Sequence, residues 1–472
     1  MKFDAPVETL LPDLVHPGEE NQKAIWSLVE ELMPVYRCLC GPGFKQSLEI
    51  ISKTLPLEIT EFPSGSEIAS WIIPKEFKIN EAYVLDPSGK RILDFATEPY
   101  CVWLYSQPFH GVVSRAELLE HISTTEQHPE AIPLRNTYYR DQWGLSAPQS
   151  LVDSLPEGDY TVHIDAEHFP GALRIGEYFL PGETNEEILV CSYLCHPRGA
   201  NDNLSGVAVA VELFKLLAQL PNRHYSYRLA LWPETIGAIT YIESYPDRIA
   251  RTIGGYKIAV CGDKAPVGVD QTYYGTSMFD RAAVHAMKFC GMPVVSRPFN
   301  VKSGQDTQHF NGIALRIPMA TLTRGGPTYE EAYPGLTPPG YPWYHTNFDD
   351  LNAIGAEYLF ETLRVAWFAL LAVERAQYYR GTYHVTPFLS RYGVYPHHHG
   401  IGSGGNGDVV GNAYYQLIPS VDGKEDLLTI ADKALMPVYA FDEPVREFMR
   451  VGLIEPVKPG HNRPAGETGI GD

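Results

Sequence analysis

Apolar residues recur every three to four positions from Asn21 to Tyr36 and again from Phe44 to Leu55, a spacing that predicts two helices near the start of the chain. From Phe62 the texture changes to short apolar runs cut by turn residues. Ile68-Ala-Ser-Trp-Ile-Ile-Pro, Ala82 to Phe95 and Cys101-Val-Trp-Leu-Tyr are β-rich, and Pro87-Ser-Gly-Lys suits a hairpin connection. This pattern predicts a small β-containing domain over 64–133, inserted into a larger one. From Tyr160 strand and helix alternate. Tyr160 to Asp165 and Leu173 to Phe179 read as strands, and Glu187-Ile-Leu-Val-Cys-Ser-Tyr-Leu is the nearly continuous apolar run of a strand covered on both faces. Helical spacing follows over Val207 to Leu220, Ile236 to Ser244 and Ala356 to Tyr379, with strand-like Tyr227 to Trp232 and Tyr256 to Cys261 between.

Such alternation predicts an α/β sandwich. Its two parts would be 1–63 and 134–380, with 64–133 inserted. Beyond them, the glycine-rich Gly400 to Gly407 reads as a loop, and Asp426 to Ala434 and Val445 to Val451 as a small helical unit within 381–472. A length of 472 residues agrees with several domains, at roughly 100–200 residues each.

Composition narrows the partners. Lys and Arg total 37 against 57 Asp and Glu, and the formal charge of −20 opposes a polyphosphate backbone or an anionic bilayer. No apolar run reaches the ~18–20 residues of a membrane span, and Met1-Lys2-Phe3-Asp4 lacks the pattern of a signal peptide. A soluble cytoplasmic protein is expected, without membrane or nucleic-acid partners. The 7 cysteines are an odd count and read as reduced thiols, and Cys38-Leu-Cys40 lacks the usual C-x₂-C zinc spacing.

The most informative stretch is Leu194-Cys-His-Pro-Arg-Gly-Ala-Asn-Asp-Asn-Leu-Ser-Gly, which leaves the buried strand and enters an apolar helix. Ligands of open α/β sheets bind outside the carboxyl ends of strands, so His196 and Asp202 stand where a site belongs. A neutral imidazole and a carboxylate six residues apart can converge on one divalent cation, zinc among them. The competing reading is structural: Asp202, Asn203 or Ser205 caps the helix and His196 bonds to backbone. Further candidates then accumulate. Glu234 in Trp-Pro-Glu-Thr-Ile-Gly and Asp263 in Cys-Gly-Asp follow strands, and His345 lies in Tyr-His-Thr-Asn-Phe-Asp-Asp ahead of a helix. Two histidines and three carboxylates make a metal and general-base set.

The order H-P-x-x-A-N-D-N-x-S-G, P-E-T-I-G, a strand-end Asp and Y-H-T-x-x-D-x-L resembles the zinc aminopeptidases of the bacterial leucyl aminopeptidase and glutamate carboxypeptidase type. Ser64 to Phe77 also resembles the start of the insertion in an aminopeptidase-like branch that carries a small inserted domain and a C-terminal winged helix. The resemblance implies one or two zinc ions. Under it His196 is a ligand of the first, Asp202 a bridging carboxylate, Asp263 the carboxylate completing the first site and His345 the imidazole of the second. It also implies a substrate that is a small peptide or other small amide, cleaved near a free amino terminus.

That family carries two adjacent glutamates, a base and a ligand, whereas here Glu234 is followed by Thr235. Glu234 is then either base or ligand. The base is favoured, because hydrolysis needs a proton acceptor beside the attacking water. Asp306, in a loop resembling the family's G-S-D segment but with Gln305 in place of Ser, is a candidate partner for a substrate amine, and Arg324 and Tyr344 either line the pocket or serve the structure alone. His397, His398 and His399 read as a solvated loop. Leu427 to Leu435 with Val445 to Leu453 looks like a winged helix, but it lacks a Lys/Arg stripe. An interdomain or homo-oligomer contact is its favoured use.

Overall fold

The computed structural model describes residues 7–299, 306–324, 343–394 and 409–458. Gly304, Gln305, Tyr341, the histidines 397–399 and the glycine-rich 400–407 lie outside the described residues. An eight-stranded mixed sheet runs in the order Glu58–Pro63, Ala172–Leu180, Ser226–Trp232, Glu187–Tyr193, Thr252–Ile258, Met319–Thr323, Gly268–Asp270 and Ser296–Arg297. The four middle strands, Ser226–Trp232 to Met319–Thr323, pair in parallel, whereas Glu58–Pro63 and Ala172–Leu180 join antiparallel at one edge.

Every residue of Glu187–Tyr193 and of Ser226–Trp232 is buried, which is why these segments read as continuous apolar runs. Helix Gly206–Gln219, apolar on nearly all sides, packs with Glu19–Leu32 and Ala356–Arg375 on one face. On the other, Ile236–Ser244 brings Tyr241 to Trp232, with ring centroids 5.3 Å apart. This is the α/β sandwich expected, and the carboxyl ends of its parallel strands carry the loops of interest. Among the described residues no helix is long and apolar enough to cross a membrane.

A separate four-stranded antiparallel sheet is ordered Arg91–Asp94, Glu76–Leu85, Asp159–Phe169, Phe109–Ser114. Its long strand Asp159–Phe169 lies beyond residue 133, where the sequence reading closed the insertion. The pairing therefore carries that unit to Phe169. The reason is visible in the burial of the strand, which alternates from Asp159 to Ala166 as a half-covered antiparallel strand does, unlike the fully covered strands of the main sheet.

At the C-terminal side, Asp422–Asp426, Tyr378–Gly381 and Ile454–Val457 form a three-stranded antiparallel sheet, accompanied by helices Val409–Leu417, Leu427–Lys433 and Asp442–Arg450. This unit begins at Tyr378, just ahead of the expected division at 380. It is fastened to the sandwich by bidentate Arg281–Asp426 and Arg375–Asp442 pairs, and Tyr439 donates to the Phe368 carbonyl at 2.6 Å. His285 contributes a further bond, from Nδ1 to Asp432 at 2.7 Å, while its Nε2 accepts the Val438 N–H at 2.9 Å.

Candidate metal centre

Glu187–Tyr193 ends at the sheet's carboxyl edge, and the chain then turns through His196 and Asp202 before entering Gly206–Gln219. The N-D-N-x-S sequence staples this turn to the neighbouring loop. Asn201 Oδ1 accepts the Gly262 N–H at 2.7 Å, Asn203 Oδ1 accepts the Val260 N–H at 2.9 Å, and Ser205 Oγ accepts the Cys261 N–H at 3.0 Å while donating to the Asn201 carbonyl at 2.6 Å. Ser205 makes no capping bond, so its polarity serves the loop rather than the helix end. Asp349 closes the turn from below, its two oxygens accepting the N–H groups of Asn201 and Asp202 at 2.7 and 2.9 Å. Gly199 is required by this closeness: a Cβ there would stand 1.9 Å from the Asp202 carbonyl oxygen.

The turn brings Asp202 together with both histidines. Asp202 Oδ2 lies 3.8 Å from His196 Nε2 and 3.2 Å from His345 Nε2, and the three ligating groups fall within 4.8 Å of one another. Ligands about 2.1 Å from a tetrahedral zinc stand roughly 3.4 Å apart, so these separations suit one ion. Asp202 Oδ2 and His345 Nε2 are buried, face each other at 3.2 Å without the alignment of a regular hydrogen bond, and have no other hydrogen-bond partner among the described residues. Buried polar atoms are normally paired, and two orphans facing one point are what a set of ligand atoms looks like without its ion.

The two histidines differ in charge state in the metal-free site. Burial pulls His196 down to about 4 against the pull of Asp202, leaving the neutral imidazole a metal needs. Burial alone would raise Asp202, but the two histidines and Tyr193 hold it well below the usual carboxylate range. His345 is raised, because the Asp202, Glu234 and Asp349 carboxylates outweigh its burial.

Glu234 follows strand Ser226–Trp232, as expected. Burial, reinforced by the Asp306 and Asp202 carboxylates and opposed by Lys257, pushes it up to about 8. Its turn is held from two sides: the Glu234 N–H donates to Cys195 Sγ at 3.3 Å and the Thr235 N–H to Asp306 Oδ1 at 2.7 Å. Asp306 is fully buried and its other oxygen accepts Trp232 Nε1–H at 3.2 Å. The candidate contact with a substrate amine does not fit this placement, since both oxygens face the protein.

Arg324, read as lining the pocket or serving the structure, is likewise interior. It donates to Thr362 Oγ1, to the Asp263 and Ala265 carbonyls and to Glu361, bracing the loop after Thr252–Ile258. Asp263 is buried beside that loop; its oxygens accept the Ala265 N–H at 2.7 Å and Asn201 Nδ2–H at 3.1 Å, and it is not part of the three-residue cluster. Tyr344 is exposed and stacked on His345, with centroids 3.8 Å apart.

Three contributors were not anticipated. Tyr193 donates to Asp202 Oδ1 at 2.5 Å, and Lys257 Nζ sits 5.0 Å from the centre of the Tyr193 ring, only 3% exposed. The third is the inserted unit with the segment that follows it. Tyr100 donates to the Pro197 carbonyl at 2.5 Å, next to His196. The Leu134 N–H donates to the His345 carbonyl at 2.7 Å, Ile132 and Asn347 exchange two bonds, and Asn347 Nδ2–H reaches Glu98. Both histidine loops are thus clamped from this side, and His345 is held at φ 55°. The polar ends of Tyr100 and Tyr193 inside apolar runs were the one signal available, since a buried hydroxyl seeks a partner.

Comparison with known proteins agrees with this geometry. A curated relative from Clostridium acetobutylicum, described as "putative polysaccharide biosynthesis protein with aminopeptidase-like domain", is 31% identical over 442 residues, 93% of this chain and 98% of the relative. The crystal structure of a "putative peptidase" from the same organism is similar with a TM-score of 0.82 at 30% identity, covering 93% of this chain and 97% of the other. A zinc aminopeptidase from Bacillus subtilis shares the fold, with a TM-score of 0.56 at 15% identity over 76% of this chain and 96% of its own. With the His/Asp/His cluster, these likenesses support a metallohydrolase of broad zinc-peptidase type. The model of a family described only as a domain of unknown function, DUF4910, matches residues 26–376, and the chain belongs to that family.

Proposed function

We propose that this protein is a zinc-dependent, aminopeptidase-like hydrolase that cleaves an amide bond near a free amino terminus. The observation that carries the reading is the pair of unsatisfied buried atoms, Asp202 Oδ2 and His345 Nε2, facing His196 beside the raised carboxyl of Glu234. Zinc held by His196, Asp202 and His345 would polarise the scissile carbonyl and bring water into its ionising range near neutral pH. Glu234, on a turn fixed by Cys195 and Asp306, takes the water proton and passes it to the leaving amine. A carboxyl with a pKa near the working pH is suited to both halves of that transfer. Asp263 supports the Asn201 side of the loop, and Tyr344 forms a wall. Tyr138, half-exposed, has its hydroxyl raised by burial and then by Cys195 and Glu234.

A second reading keeps the chemistry and changes the substrate. The exposed ring of Tyr344 suits the face of an acylated amino sugar as well as a peptide, and the Clostridium relative's description mentions polysaccharide biosynthesis. The C-terminal unit, bound to the sandwich by two arginine–carboxylate pairs, serves in this reading as a brace.

The deciding experiment measures zinc content and hydrolysis on matched panels of aminoacyl and N-acyl amino-sugar amides. Glu234→Gln is expected to keep zinc and lose turnover, and His196→Ala to lose zinc. Retained zinc in His196→Ala, or full turnover in Glu234→Gln, refutes the assignment.

A further inference from the structure

The two oxygens of Asp202 have different fates. Oδ2 faces the histidines without a regular hydrogen bond, whereas Oδ1 receives the Tyr193 hydroxyl at 2.5 Å. Tyr193 is 4% exposed and ends its strand; Lys257 comes from the adjacent parallel strand, where Cys191 is its register partner, and places its ammonium on the tyrosine ring. A cation on the ring face is attracted to it and, by drawing electron density, makes the phenol a stronger donor.

A carboxylate that bridges two metal ions gives one oxygen to each. A second ion on Oδ1 would have to share that oxygen with the proton of a short phenol bond, and the two positive centres repel. Nor do the described residues supply a second ligand set. The position after Glu234 is Thr235, which brings no carboxylate, and Asp263, held by Ala265 and Asn201, lies outside the three-residue group. The described residues contain one group of three ligands.

We infer that Tyr193, pinned by Lys257, orients Asp202 as a one-oxygen ligand of a single-ion centre rather than as the bridge of a metal pair. The inference rests on the proposal that His196, Asp202 and His345 hold a metal, and it assigns Tyr193 and Lys257 as positioning residues. Groups that orient metal ligands typically alter affinity 10–100-fold when removed.

The test uses the full chain, stripped by a chelator and titrated with zinc against a chromophoric competitor, which reads stoichiometry and affinity without reference to turnover. Wild type is expected to bind one tight ion. Tyr193→Phe should still bind one, about 10–100-fold more weakly. Lys257→Met should shift affinity in the same direction by less, and it keeps the test alive if the tyrosine variant folds poorly. Two tight ions in wild type, or unchanged affinity in both variants, overturn the inference while leaving a metal centre in place. No zinc bound by wild type removes both the inference and the reading beneath it.

Discussion

Replacing Asp306 by alanine separates two roles for a buried carboxylate. If Asp306 met a substrate amine, Asp306→Ala would raise KM and leave the fold intact. Its placement argues otherwise: it is fully buried and accepts from the Thr235 N–H at 2.7 Å and Trp232 Nε1–H at 3.2 Å. Alanine leaves both donors buried without a partner, at about 1–3 kcal/mol each, or roughly 2–6 kcal/mol together. The turn concerned holds Thr235 at φ 65°, a conformation that a β-branched residue keeps only when its surroundings impose it. Freed of Asp306, Thr235 relaxes and moves Glu234 away from the metal ligands.

The expected result is a lowered denaturation midpoint, zinc retained at wild-type stoichiometry, and a fall in kcat with little change in KM. Equilibrium denaturation, elemental analysis and steady-state kinetics on an aminoacyl chromogenic amide read the three quantities. An unchanged midpoint with a raised KM alone refutes the positioning argument and restores the substrate role.

Zinc loading of the metal-free protein at pH 7 should release protons, because a cation beside Glu234, pushed up to about 8, favours its ionised form, and His345, whose pKa is also raised, binds metal deprotonated. Calorimetry in buffers of differing ionisation enthalpy measures this, and a release of zero contradicts the charge assignment. Gly199→Ala should weaken zinc binding more than tenfold, since the added Cβ would fall 1.9 Å from the Asp202 carbonyl oxygen and force the ligand loop open; wild-type affinity would show the loop to be more yielding than this contact implies. His285 is held below its ordinary pKa, first by burial and then by Lys288 and Arg281, against the pull of Asp432. Its lowered pKa means its contribution to docking is present above the unfolded value of ~6.5 and is lost as pH falls below it, because protonation removes the Nε2 acceptor from Val438. Hydrogen exchange in Leu427–Lys433 should therefore quicken in acid, and His285→Gln should abolish that dependence.

Much of the centre was legible because its residues interrupt strong patterns. His196 and Asp202 follow the most continuous apolar run in the chain, and Glu234 follows the next strand, so polarity at those points stood out. Asp306 is read from the resemblance of its loop, and Arg324 as either pocket or structure; the sequence does not show that both side chains are turned inward. Their burial is made tolerable by backbone and indole partners distant in sequence, and no local pattern reports those. Tyr193 was hidden for the opposite reason: a tyrosine at the end of an apolar strand reads as core, and its partner is known only once the chain turns back. That Asp159–Phe169 pairs in the separate sheet was hidden because it follows a long irregular stretch and sits next to a strand of the main sheet, while its alternating burial depends on which face is covered.

The clamp from the insertion side also bears on when this centre can assemble. His196 and Asp202 share one short turn, whereas His345 is anchored through contacts such as Ile132 to Asn347, 215 positions apart. Closing a loop of that size rather than one of six residues costs about 3 kcal/mol more in chain entropy. His196 and Asp202 are near in sequence, but Asp349 closes their turn and the insertion side anchors His345, so all three ligands depend on contacts distant in the chain. Metal capture becomes a late event in folding, and zinc retention a sensor of whether the chain has finished.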